Sequence, residues 1–217
     1  AGDPAKGYYS YDKSGWHIVA LNSEIDISPG SLQEQWLRND LVAHPNTCTL
    51  AYWHEPRFSS GTTHGSNTSV QPLWNALYEY GVDVVLNGHE HDYERFAPQD
   101  PWARPDADYG IRQYVVGTGG AWLNQRLYLA PNSEVWATTH GVLRLTLHTD
   151  SYDWEFVPIA GQTFSDSGTG IPHGRPPARI RHAFRVAADT WVDQGAPNAT
   201  HGTSTWWRRY RSPRRLA

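Results

Sequence analysis

The residues with spacing fit for chemistry are histidines. Val82-Asp83-Val84-Val85-Leu86 is a mostly β-branched apolar run. Asn87-Gly88 closes it, and His89 and His91 follow two positions apart. A second apolar run, Thr47 to Trp53, ends at His54-Glu55-Pro56, and the small-residue loop behind it carries His64. In extended backbone, side chains two apart leave on the same side, so His89 and His91 can face one site. Paired imidazoles suit zinc, iron or another borderline ion. The competing reading of this pair alone is a loop with two surface histidines.

The elements needed to position these residues are present. Both apolar runs read as buried strands. Between them, Leu73, Leu77 and Tyr80 mark a helix within Val70–Tyr80. Strand, helix and strand make a βαβ unit, whose right-handed crossover brings both strand ends to one edge of a sheet. In open α/β sheets that edge is where ligands bind, and Gly88 permits the sharp turn there. His54, His89 and His91 are therefore expected to converge. Ser31–Leu41 predicts another helix, with Ser31 as cap, Glu34 three residues on, and an apolar stripe of Leu32, Trp36, Leu37 and Leu41. Residues 111–116 predict a strand ending in Gly117-Thr118-Gly119-Gly120, whose glycines let backbone approach the histidines closely. Residues 140–147 and 152–157 alternate apolar and polar, and predict an antiparallel hairpin turning at Thr149-Asp150-Ser151.

The order of WHEPRFSSG, His64, NGHEHDYERF and Gly117-Thr118-Gly119-Gly120 resembles the calcineurin-like metallophosphoesterases, in the branch of the purple acid phosphatases and secreted bacterial phosphoesterases. Residues 7–12 and 16–24 resemble strands from the middle of that domain, so the likeness covers about 1–163. It implies an α/β (α+β) chain forming part of a four-layer fold, with two packed mixed β-sheets flanked by helices. It also implies a phosphate mono- or diester substrate and two divalent or trivalent metal ions, Fe, Zn or Mn. Residue by residue, His54 and His89 match ligands of one metal, and His91 matches a ligand of the other. His64 matches the histidine that binds the phosphoryl group or protonates the leaving oxygen. Such a pair of cations polarises the phosphoryl oxygens and activates water.

The departure from the family pattern is as informative. The family's early carboxylates, its strand-borne GD motif and its Asn-His pair have no counterpart; Gly2-Asp3 is followed by Pro4-Ala5-Lys6 and follows no strand. The expectation is the C-terminal half of a catalytic domain, with an N-terminal half, and a signal peptide for secretion, lying upstream. Without a bridging carboxylate, nothing in the sequence holds two cations roughly 3.5–4 Å apart. The chain alone is then expected to be inactive. The alternative is a non-catalytic remnant, or an extracellular carbohydrate- or wall-associated binding protein.

A length of 217 residues suits one core with a small appendage, and a net charge of −4 supplies no general pull toward nucleic acid or anionic membrane. No apolar run is long enough to span a bilayer. Eleven Trp, 12 Tyr and no Met point to an extracellular protein. The single cysteine, Cys48, reads as a buried small hydrophobe. His17, His44, His140 and His148 have no second ligand at useful spacing and read as structural. Asp83 reads as a solvated turn residue, Arg95 as support for the histidine pair or a loop anchor, and Trp53 as packing.

Composition changes after Thr163. Residues 164–186 read as a linker. Residues 187–217 resemble the start of a DNRLRE-type β-sandwich module that, if complete, would bind carbohydrate. Its irregular basic end, Trp206 to Ala217, interleaves arginines with aromatics. That pattern suits a nucleic-acid tail, but the reading preferred is a truncated or frameshifted end.

Overall fold

The computed structural model describes residues 5–45, 48–126, 128–178 and 180–181. The chain runs β1 (Tyr9–Lys13), β2 (Trp16–Ala20), α1 (Leu32–Ala43), β3 (Thr49–Tyr52), α2 (Gln71–Glu79), β4 (Val84–Asn87), β5 (Tyr93–Phe96), β6 (Arg112–Val116), β7 (Ser133–Ala137), β8 (Gly141–Leu147), β9 (Tyr152–Pro158) and β10 (Ser167–Gly170). A mixed seven-stranded sheet has the order β1-β2-β3-β4-β6-β5-β7, and a three-stranded sheet has the order β10-β9-β8. β2, β3, β4 and β6 are parallel, which sends the ends of β3 and β4 to one edge. The expected βαβ unit is therefore present.

The period-two geometry of the strands divides the core into two. Val19, Ala51, Val85 and Val115 point toward Leu37, Leu41, Leu73 and Leu77 of the helices. Their neighbours Ile18, Leu50, Val84 and Tyr114 point the other way, onto Tyr152, Trp154 and Phe156 of β9. Strands buried on both faces explain the unbroken apolar runs; β2 is buried at all five positions. Helices, large sheet and small sheet form an α/β packing with two sheets, as expected, although the second sheet is antiparallel throughout its described strands. Cys48 lies buried in the second core.

Three local expectations are corrected, and of the two roles expected for Arg95 the anchor is the one observed. Ser31 does cap α1, its hydroxyl accepting from Glu34 N, but Leu32 is 83% exposed and the buried face is Gln33, Glu34, Leu37 and Leu41. Gln33 is buried because it bonds Asn22 at both backbone N and O, at 2.8 Å each. Asp83 is buried, not solvated: its carboxylate accepts from Thr49 N and His173 N, both at 2.8 Å, and burial pushes its pKa up. The stretch expected as a linker is packed where it is described. β10 adds to β9, and Asp166 accepts from Tyr93 and Arg95. Arg95 is accordingly an anchor for that segment, lying over Trp154, and does not support the histidines. The expected module at 187–217 lies outside the described residues.

The outer edge of β8 has no partner among the described residues. Beside it, Tyr52, Leu86, Val116, Val142 and Leu143 line a groove of about 390 Å³ between the two sheets.

Candidate active site

His54 follows β3 and His89 follows β4, each after one intervening residue, Trp53 and Gly88. Gly88 N donates to His54 O at 3.0 Å, so the two loops are tied backbone to backbone. The turn after β4 is taken at His89, whose φ of 66° lies in the left-handed region, and not at Gly88. The extended backbone invoked to aim His89 and His91 together is therefore absent. The rings converge through the turn instead. His54 Nε2 lies 2.9 Å from His89 Nδ1. His64 stands between the two members of the pair, with ring centroids 4.2 Å from His89 and 5.6 Å from His91. His91 Nδ1 donates to Trp122 O at 3.0 Å, which leaves Nε2 with its lone pair. All four predicted histidines are thus brought to one edge of the sheet.

Burial lowers the pKa of His89, and His64 and His54 lower it further; Glu55 and Glu24 act in the opposite direction. Crowded imidazoles disfavour a proton on any one of them, and a neutral ring is the form that binds a metal. These donors fit the imidazole part of a metal site. They do not by themselves make a two-metal centre: among the described residues, no group of three His, Cys, Asp or Glu donors at this edge lies within 4.8 Å.

The supporting carboxylates were not singled out from the sequence. Glu90 is fully buried between the two histidines. Its Oε2 accepts from His64 N and Gly65 N, and its Oε1 from Asn124 Nδ2, all at 2.8 Å. One carboxylate therefore fixes the loop that carries His64 and the segment facing it. Gly61 makes room for it, since a Cβ there would lie 2.1 Å from the Glu90 side chain. Gly117 does approach as expected: a Cβ would lie 2.0 Å from Glu90 O. Asp92 accepts from Trp136 Nε1 at 2.7 Å. Burial pushes its pKa up to about 7, opposed by the Trp136 bond and aided by Glu94 and Glu90. Glu94 accepts from the Ser60 backbone at 2.7 Å and from the Ser60 hydroxyl. The signal for this layer was the strict interleaving of acids with histidines in His89-Glu90-His91-Asp92. Asn124 had no local signal. Trp53 packs against Trp74, as expected.

A mixed sheet with histidines at the ends of adjacent parallel strands, backed by a second sheet, is the architecture of metallophosphoesterases. No family model matches the chain. Among curated proteins, it is 36% identical over 100 residues to purple acid phosphatase 15 of Arabidopsis thaliana, covering 44% of this chain and 19% of that one. It is 38% identical over 104 residues to the probable purple acid phosphatase 20 of the same plant, covering 45% and 24%. The purple acid phosphatase PPD1 from yellow lupin seeds shares the fold, with a TM-score of 0.69, 22% identity, and coverage of 78% of this chain and 33% of the lupin chain. The chain therefore spans about a fifth to a quarter of the curated relatives it matches. Over the matched region the chain is similar to calcineurin-like metallophosphoesterases of the purple acid phosphatase-like branch.

Proposed function

We propose that this chain contributes the imidazole half of a secreted, two-metal phosphoesterase that hydrolyses phosphate mono- or diesters. The observation behind this reading is the meeting of His54, His64, His89 and His91 at the ends of β3 and β4. His54 and His89 would hold one ion, of Fe, Zn or Mn type, and His91 the other through its free Nε2. Bound there, the ions would supply charge for the phosphoryl oxygens and an activated water. His64, held by Glu90 through its own backbone N–H, would meet the phosphoryl group or give the leaving oxygen its proton.

The donors missing from this edge would come from sequence that the relatives hold outside the matched region. The outer edge of β8, unpaired among the described residues, and its apolar groove favour the same view, because they leave room for further strands. The chain alone would then bind metal weakly and turn over little substrate. The second reading is a non-catalytic protein. It is favoured by the lack of a three-donor group at this edge among the described residues. No observation favours carbohydrate binding, and the segment on which that idea rested lies outside the described residues.

The test is hydrolysis of p-nitrophenyl phosphate and its bis-ester, with Fe, Zn or Mn supplied. It is run on the chain alone and on the chain mixed with a relative's segment carrying the GD and Asn-His motifs. Little turnover alone, gained on complementation and lost in His89→Ala, is the expected result. Full turnover by the chain alone would overturn its incompleteness. No turnover in either mixture, with no metal retained, would favour the non-catalytic reading.

A further inference from the structure

A second cluster of titratable side chains lies at the opposite end of the large sheet, held by β1, β2 and α1. Asp12 and His17 face each other across the antiparallel β1–β2 ladder, so their side chains leave from the same face. His44 caps the C-terminus of α1, four residues after Asp40. One donor atom from each of Asp12, His17 and His44 lies within 4.8 Å of the other two, and among the described residues no other His, Cys, Asp or Glu trio does this. The sequence shows no second ligand at useful spacing from His17 or His44, and the bonds of His17 to Asp12 and Asp40 agree with its structural reading. Yet the fold also brings the three donors together. Sequence spacing hid it, because the fold and not the motif brings 12, 17 and 44 together.

The hydrogen bonds around this trio orient its rings. His17 Nε2 lies 2.8 Å from Asp40 Oδ2, while its Nδ1 faces Asp12 Oδ1 at 2.8 Å. His44 Nδ1 donates to Asp40 O at 2.9 Å, which leaves Nε2 with its lone pair. Asp40 thus grips one nitrogen of each ring, by its carboxylate in one case and its carbonyl in the other. Ser10 Oγ in turn fixes the Asp40 carboxylate at 2.7 Å. Partners of this kind are what set the tautomer and direction of metal-bound histidines. The rings lie nearly parallel, 4.2 Å apart at 13°. His17 is fully buried, whereas Asp12 and the edge of His44 reach solvent, so an ion has an anchored side and an open approach.

We propose that Asp12, His17 and His44 form a second, single-ion site for a borderline divalent metal such as zinc, with Asp40 as its positioning residue. Two imidazoles and one carboxylate suit zinc, nickel or copper better than calcium or magnesium, which prefer an all-oxygen shell. The ion would take the place of the proton between His17 Nδ1 and Asp12. It would staple the edge hairpin to the end of α1, far from the phosphoesterase edge and independent of it.

The experiment uses zinc alone and chelator-treated protein. A variant with His54→Ala, His89→Ala and His91→Ala removes the other candidate site, so failure of the phosphoesterase reading does not touch this one. Calorimetric titration of that variant is expected to show one equivalent of zinc, with a rise in Tm. Adding His44→Ala or Asp12→Asn should weaken binding at least about tenfold without changing the circular dichroism spectrum. No zinc bound, or binding indifferent to His44→Ala, overturns the site. Should the triple variant misfold, wild type is compared with His44→Ala. A stoichiometry lower by one is then expected, and an equal stoichiometry overturns the site.

Discussion

The two histidine clusters solve opposite electrostatic problems with the same side chain. At the ends of β3 and β4, imidazole meets imidazole, and His89 is driven toward its neutral form by burial and by His64 and His54. At the other end of the sheet, each ring meets Asp40. Burial disfavours the charged form of His17, yet the bonds to Asp40 and Asp12 outweigh it and raise its pKa. A ring with carboxylates on both nitrogens holds its structure together by itself. A cluster of rings without carboxylates at bonding distance is held by its loops, and above all by Glu90 beneath them.

The largest effect that would sharpen this contrast is at His17. His17→Ala removes the partner of a nearly buried Asp40, and the expected cost is about 3–5 kcal/mol in chemical denaturation. A loss under about 1 kcal/mol would mean that the clasp is not a clasp. Glu90→Gln comes next. It keeps the shape but replaces one acceptor oxygen with a donor facing backbone N–H groups, for an expected loss of about 2–3 kcal/mol. The loop at 61–65 should also become open to limited proteolysis, and an unchanged digestion pattern would deny Glu90 its role in holding His64.

Asp92→Asn should act with the opposite sign. The carboxyl of Asp92 titrates near pH 7 in the fold, far above the ordinary carboxylate range, so the folded state holds its proton longer than the unfolded state. Wild-type stability therefore falls as pH rises between about 4 and 7. The variant should melt higher than wild type at pH 8 and about equally near pH 4. The reverse ranking would show that ionised Asp92 is stabilised by something the fold does not display.

The smallest effect tests the contrast most directly, in chelator-treated protein. His17 has a raised pKa, so its contribution is present below about pH 6.5 and is lost as pH climbs through its folded value. His89 has a lowered pKa, so it destabilises the fold as pH drops below about 6.5. Melting curves of His17→Gln and His89→Gln, each subtracted from wild type across pH 5–8, should slope in opposite directions. Parallel slopes would erase the distinction.

Much of this was legible in the sequence because burial writes itself as a run. Val82–Leu86 and Thr47–Trp53 announced parallel strands covered on both faces, and Leu73, Leu77 and Tyr80 announced the helix between them. The convergence of His54 and His89 followed from that topology. What stayed hidden depended on contacts distant in sequence. Gln33 and Glu34 face inward because of Asn22 and Arg38, so an apolar stripe could not identify that face. Asp83 is buried because Thr49 and His173 donate to it from 34 and 90 residues away. Residues 164–178 have a linker's composition, yet Ser167–Gly170 pair with β9 as a strand, and Asp166 beside them is held by Tyr93 and Arg95.

The left-handed backbone at His89 sets function and stability against each other at a single residue. A side chain in that conformation costs roughly 1–2 kcal/mol, which glycine escapes. His89→Gly could therefore outlast the native chain in a melting experiment while losing the nitrogen that meets His54. Under the proposed function, the metal-binding nitrogen of His89 therefore comes at the expense of durability.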